Sequence, residues 1–170
     1  MTTSRFSLFY LPVGTVASTT SDLILELARR YKTPLFTPHV TLLGDLHLSK
    51  DEVMEKTAEL ARQLRPFTIQ LTHLEQGTSY FQCVYIRAAS PKLIESNKRA
   101  RQIFDLKSEP FLPHLSLLYG NLDSEIKESI IQEIGPAFNR SFNVNSIAIW
   151  ETKGEPKNWN QIKTIPLGSG

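Results

Sequence analysis

Two rhythms of apolar residues alternate along this chain. Phe67, Ile69 and Leu71 interleave with Thr68, Gln70 and Thr72, the period of two expected of a strand with one buried face. Short apolar runs predict further strands at Phe6–Leu11, Val40–Leu43, Tyr80–Ile86, Leu115–Leu118 and Phe142–Trp150, with a final edge strand at Ile162–Leu167. Between them the spacing turns helical. Asp22–Tyr31 carries Leu23, Leu27 and Arg30 at helical intervals behind Thr20 or Ser21 as cap, and Pro34 and Pro38 break it. Ser49-Lys50-Asp51-Glu52 is a capping box that opens a helix to Leu64. Pro91 opens another to Phe104, and Ser124 caps a fourth to Ile134, stopped by Gly135-Pro136.

These elements repeat. Phe36-Thr37-Pro38-His39-Val40-Thr41-Leu42-Leu43-Gly44 matches Phe111-Leu112-Pro113-His114-Leu115-Ser116-Leu117-Leu118, followed by Tyr119-Gly120. The offset, 114 − 39 = 75, also lays Phe6 on Phe81, Tyr10 on Tyr85, helix on helix and strand 67–72 on 142–147. Strand, helix, strand, helix, strand recurs in that order, over 5–75 and again over 80–150. Such a doubling predicts one α+β domain, residues 1–167, of two lobes about a pseudo-twofold axis. The last three residues, 168–170, read as a tail outside it.

Composition narrows the function. The chain has 170 residues, 41% of them hydrophobic and 21% charged, an ordinary globular balance. Nineteen Lys and Arg against seventeen Asp and Glu leave +2, too little for a nonspecific grip on polyanions. A lone cysteine, Cys83, excludes an internal disulfide and a cysteine zinc cage, and no base adjoins it to make it a nucleophile. No apolar run approaches a bilayer span, and Met1–Pro12 lacks the features of a signal peptide. A monomer in the cytoplasm is expected.

The chemistry lies in the doubled motif. Strand side chains two apart share a face, so His39 sits with Thr41 and His114 with Ser116, while Val40, Leu42, Leu115 and Leu117 point the other way. The pseudo-twofold axis brings two imidazoles and two hydroxyls around one cavity. That set suits a cyclic phosphodiester: one imidazole takes a proton from water, the other gives one to the leaving alkoxide, and the hydroxyls bind non-bridging oxygens. No metal and no cofactor are required. His47-Leu48-Ser49 has the same local pattern, but Ser49 is a cap and no proline precedes His47, so it reads as a surface loop; His73 reads as structural or exposed. By strand parity Phe81, Cys83 and Tyr85 share a face, which sets Phe81 and Tyr85 as aromatic pocket candidates.

Pro38-His39-Val40-Thr41-Leu42 and Pro113-His114-Leu115-Ser116-Leu117 resemble the paired signature of the 2H phosphoesterase superfamily. Within it, the stretches Phe111–Gly120 and Gly77–Tyr85 resemble the plant and yeast cyclic phosphodiesterases. The resemblance implies antiparallel sheets facing a central cleft, with helices outside. It implies acid/base roles for His39 and His114 and phosphate contacts from Thr41 and Ser116. Tyr119 and Phe81 would lie by the base or sugar. The implied substrates are small cyclic phosphates: ADP-ribose 1″,2″-cyclic phosphate, a by-product of tRNA splicing, and nucleoside 2′,3′-cyclic phosphates. Three alternatives stay open. The first is an enzyme of RNA ends, a 2′,3′-cyclic phosphodiesterase or 2′–5′ ligase-like activity, for which Lys92, Lys98, Arg99, Arg101 and Lys107 form the clearest basic cluster. The second is a nucleotide-binding module without catalysis, and the third a metal site on His39, His114 and Asp45.

Overall fold

The computed structural model describes residues 4–168; of the expected tail, 169–170 lie outside them. Gly168 does not trail away, because its N–H donates to the Ala61 carbonyl at 2.8 Å. The strands are β1 (Phe6–Tyr10), β2 (Val40–Leu46), β3 (Phe67–Gln76), β4 (Val84–Ala89), β5 (His114–Leu118), β6 (Ala137–Val144), β7 (Ser146–Glu151) and β8 (Asn160–Pro166). The helices are α1 (Gly14–Tyr31), α2 (Lys50–Gln63), α3 (Pro91–Ile103) and α4 (Ser124–Ile134).

All eight strands join one sheet in the order β6-β3-β4-β5-β2-β1-β7-β8, and every pair in it is antiparallel. It is an α+β architecture in which the two lobes, β2-β1-β7-β8 and β5-β4-β3-β6, meet edge to edge. A single registered pair, Val40 with Leu115, closes the seam. The lobes interlock: β3 from the first half of the chain lies in the second lobe, and β7 from the second half lies in the first. The helices cross over too, α1 packing on β5 and β6, and α3 on β2. Each half therefore completes its core with the other's elements. Val40, Leu115 and Leu117 are fully buried beneath the helices, which leaves the opposite face of the seam to the motif residues.

Four differences from the sequence expectations have physical causes. Helix α1 starts at Gly14, eight residues before the expected Asp22. Val16, Thr20, Ile24 and Leu27 form its buried stripe, so tertiary packing overrides the low helix propensity of Thr15–Ser21. Thr20 is no cap: it is buried, and its hydroxyl donates back to the Val16 carbonyl at 2.7 Å.

Strand β2 runs past Gly44 to Leu46 with one residue too many between Thr41 and Leu43, where Phe9 and Leu8 pair, and another between Leu43 and Leu46, where Leu8 and Phe6 pair. Each is a β-bulge, and the second holds Asp45 at φ 59°.

Residues 80–86 are not one strand. Tyr80–Gln82 is a 3₁₀ turn, and β4 begins only at Val84. The chain doubles back tightly here: Gly77 donates to the Cys83 carbonyl at 3.2 Å, and a Cβ on Gly77 would lie 2.1 Å from the carbonyl oxygen of Gln82.

The expected strand 142–150 is two strands on different neighbours, β6 on β3 and β7 on β1. At Asn145 the burial pattern changes from alternation, with Phe142 and Val144 buried, to the continuous buried run Ile147, Ala148 and Ile149.

Candidate active site

The two motifs occupy the starts of β2 and β5, at the middle of the sheet. From Val40 opposite Leu115, the antiparallel register carries His39 across from Ser116 and Thr41 across from His114. The imidazoles then sit on a diagonal, which in a regular ladder spans about 7–8 Å. His39, Thr41, His114, Ser116, Tyr119 and Phe81 line one cavity of about 350 Å³.

Each imidazole is anchored in the same way. His39 Nδ1 lies 2.7 Å from the carbonyl of Thr37, and His114 Nδ1 lies 2.8 Å from that of Leu112. A carbonyl only accepts, so Nδ1 carries the hydrogen in both rings, and the neutral form keeps its lone pair on Nε2. The prolines between, Pro38 and Pro113, hold the preceding residue extended and so set the position of those carbonyls. His39 is the deeper of the two, and burial, aided by the nearby His114, pushes its pKa down to about 4 against the hydrogen bond to Thr37. Burial also lowers that of His114, with the Arg87 guanidinium acting the same way. Both rings are therefore neutral at pH 7 in the free protein.

Tyr119 is buried, and burial raises its phenol pKa. Its hydroxyl faces Nε2 of His39 at 3.4 Å, the neutral phenol donating, and its ring stacks on Phe36 at 3.7 Å between centroids. Ser116 donates to the carbonyl of Phe81 at 2.6 Å, so its hydroxyl ties down the turn that carries Phe81. To donate to a ligand it must let go of that carbonyl. The Phe81 ring is exposed and lies edge-on to Tyr119 at 5.0 Å.

The expected parity of Phe81 with Cys83 and Tyr85 fails, because the 3₁₀ turn intervenes. Tyr85 instead meets the edge of His114 at 5.2 Å and donates to Glu75, which also holds Arg87. Its counterpart is Phe9 rather than Tyr10: Phe9 pairs Thr41 as Tyr85 pairs Ser116, an offset of 76 (85 − 9). One residue of register moves a side chain to the other face of a strand. Tyr10 accordingly lies buried, while Phe9 stacks on His39 at 3.8 Å.

Sequence reasoning missed Phe9 and Trp159. Trp159 follows a short 3₁₀ turn, Pro156–Asn158, between β7 and β8, and donates to the Gly154 carbonyl at 3.2 Å. Its ring lies 6.1–6.5 Å from those of Tyr119, Phe81, His39 and Phe9. The available signal was an aromatic residue in a Gly- and Pro-containing loop. Phe9, His39 and Trp159 also form a wall of a second, neighbouring cavity of about 580 Å³.

The other candidates lie apart from this chemistry. His47 is exposed and pairs with Asp45 at 3.1 Å, and His73 is exposed against Glu75 at 2.8 Å. Cys83 is buried, which raises its thiol pKa. In the basic cluster, Lys92 and Arg99 pair with Glu95, and Arg101 with Glu109, along α3. Among the described residues no three His, Cys, Asp or Glu side chains gather as metal ligands, and Asp45 is instead 2.6 Å from Arg5. No described helix is long and apolar enough to cross a membrane.

Two inward-facing histidine motifs at the seam of a curled antiparallel sheet define a class, and residues 20–156 match the 2′-5′ RNA ligase superfamily. The chain belongs to that family, the 2H phosphoesterases. It is 26% identical over 168 residues to the cyclic phosphodiesterase of Arabidopsis thaliana, covering 95% of this chain and 93% of that one. The fold is shared with Escherichia coli LigT in complex with 3′-AMP, at TM-score 0.68 and 18% identity over 99% of this chain and 100% of that one. It is shared likewise with the protein TT0787 of Thermus thermophilus, at 0.70 and 15% over 96% and 98%.

Proposed function

We propose that this phosphoesterase hydrolyses cyclic phosphodiesters of small nucleotides without a metal. The substrates are nucleoside 2′,3′-cyclic phosphates, opened to 2′-phosphates, and ADP-ribose 1″,2″-cyclic phosphate, opened to the 1″-phosphate. The observation that carries this reading is the matched pair of anchors, Nδ1 of His39 on Thr37 and of His114 on Leu112, beside a single cavity.

A phosphodiester brings negative charge between two neutral imidazoles and raises the affinity of both for a proton. One proton shared by the pair gives an acid and a base together. The deeper His39 resists charge more strongly and suits the base. Its Nε2 takes a proton from water as the water oxygen bonds to phosphorus. The bond from phosphorus to the leaving ribose oxygen breaks, and the His114 imidazolium supplies that oxygen with its proton. Thr41 donates to a non-bridging oxygen, and Ser116 does so after leaving Phe81. Tyr119 shifts from Nε2 toward substrate, and Phe9, Phe81 and Trp159 offer ring faces to a nucleobase.

The test is turnover by the pure protein, with EDTA present, of ADP-ribose 1″,2″-cyclic phosphate, the four 2′,3′-cyclic nucleotides and short RNAs with cyclic ends. Chelator-resistant release of 2′-phosphates from the mononucleotides is expected. Turnover of the RNAs alone would move the assignment to RNA ends, and activity lost to EDTA and restored by a divalent ion would remove the mechanism.

A further inference from the structure

Phe9, Ser7 and Arg5 follow one another on the same face of β1 and its N-terminal approach, and all three line the cavity that holds the histidines. Among the described residues, Arg5 contributes the only Lys or Arg side chain to that lining. It lies two strand repeats beyond Phe9, on the order of 13 Å along the backbone at a rise of ~3.3 Å per residue, and its long side chain reaches back over part of that gap. Its position is fixed from behind: the Arg5 carbonyl accepts from the Thr152 amide at 2.7 Å, and Thr152 and Ser7 share a buried hydroxyl contact at 2.9 Å.

The charge of Arg5 is balanced but its hydrogen bonding is not. Nε lies 2.6 Å from Asp45 Oδ1, yet Nε is buried with no aligned acceptor among the described residues. The second bulge in β2 puts Asp45 there and exposes it, with His47 as a further partner at 3.1 Å. Nε apart, both side chains are largely open to solvent, and an ion pair of poor alignment there contributes little, so a better-shaped anion exchanges with it readily. A phosphate matches the guanidinium fork with two parallel hydrogen bonds.

We propose that Arg5 is a specificity subsite for a second phosphate on the substrate, the 5′-phosphate of a nucleoside 2′,3′-cyclic phosphate. This rests on the function proposed above. With the cyclic phosphate at His39 and His114, the cavity continues past Thr41 and Ser7 to Arg5. The 5′-phosphate takes the guanidinium from Asp45, and Asp45 stays with His47.

The experiment compares adenosine 2′,3′-cyclic phosphate with the same compound carrying a 5′-phosphate. The wild-type protein is expected to show kcat/KM about tenfold higher for the 5′-phosphorylated form, chiefly through KM, as one charge-assisted contact supplies. Raised salt should narrow the gap. Arg5→Gln should bring the ratio near one, Arg5→Lys should keep part of it, and Asp45→Asn should widen it by removing the competing carboxylate. Equal kcat/KM for both substrates in the wild type, or a ratio that Arg5→Gln leaves intact, overturns the subsite. Failure to turn over either substrate overturns the underlying function instead, so the two failures are distinct.

Discussion

Burying a neutral imidazole makes the fold sensitive to acid, and His39→Asn isolates the effect. In the unfolded chain His39 takes a proton near its ordinary value of 6.5, whereas in the folded protein it does so at about 4. Between those values the unfolded state binds more protons. His39 therefore contributes its full share above about pH 6.5, and that share falls as the pH drops toward 4. At ~1.4 kcal/mol per tenfold, the gap corresponds to about 3 kcal/mol in full, most of which is already lost at pH 4.5. Asparagine places an N–H where Nδ1 donates to Thr37 but does not titrate. The substitution also removes the ring stacked on Phe9, which lowers stability equally at every pH. Urea unfolding of both proteins at intervals from pH 7.5 to about 4 reads the difference. The two stability curves should converge by about 2–3 kcal/mol toward low pH. Parallel curves would refute the argument, because His39 would then not be held neutral by the fold.

Four further outcomes follow from the same geometry. His39→Asn and His114→Asn should each lower kcat on a 2′,3′-cyclic nucleotide by ~10²-fold or more, while His47→Ala stays near wild type in the same steady-state assay. The pH profile of kcat/KM should be a bell whose limbs belong to the histidine pair, its acid limb falling as the base takes a proton; a profile flat from pH 5 to 9 would exclude the pair. Trp159→Ala should raise KM roughly tenfold or more with a smaller change in kcat, as loss of one base-stacking ring does, and Leu115→Ala at the buried seam should cost about 2–5 kcal/mol in urea unfolding.

Much of this molecule was legible along the chain because its signals are local. The capping box at Ser49 and Glu52 forms as read, since both halves of it lie within four residues. The alternation through His39-Val40-Thr41 and His114-Leu115-Ser116 placed the polar pairs opposite the buried Val40 and Leu115, because side-chain direction in a strand depends only on position. What joined those faces into one cavity was tertiary. The seam rests on Val40 against Leu115, residues 75 apart, and the exchange of β3 and β7 between lobes sets which edges meet. Phe9, rather than Tyr10, took its place beside His39 through a one-residue change of register that the bare repeat did not carry. Trp159 and Arg5 reached the cavity from outside both motifs. Hydrophobic periodicity specifies which face of an element is buried, but which other element buries it, and what stands beside it there, is decided only when distant segments pack.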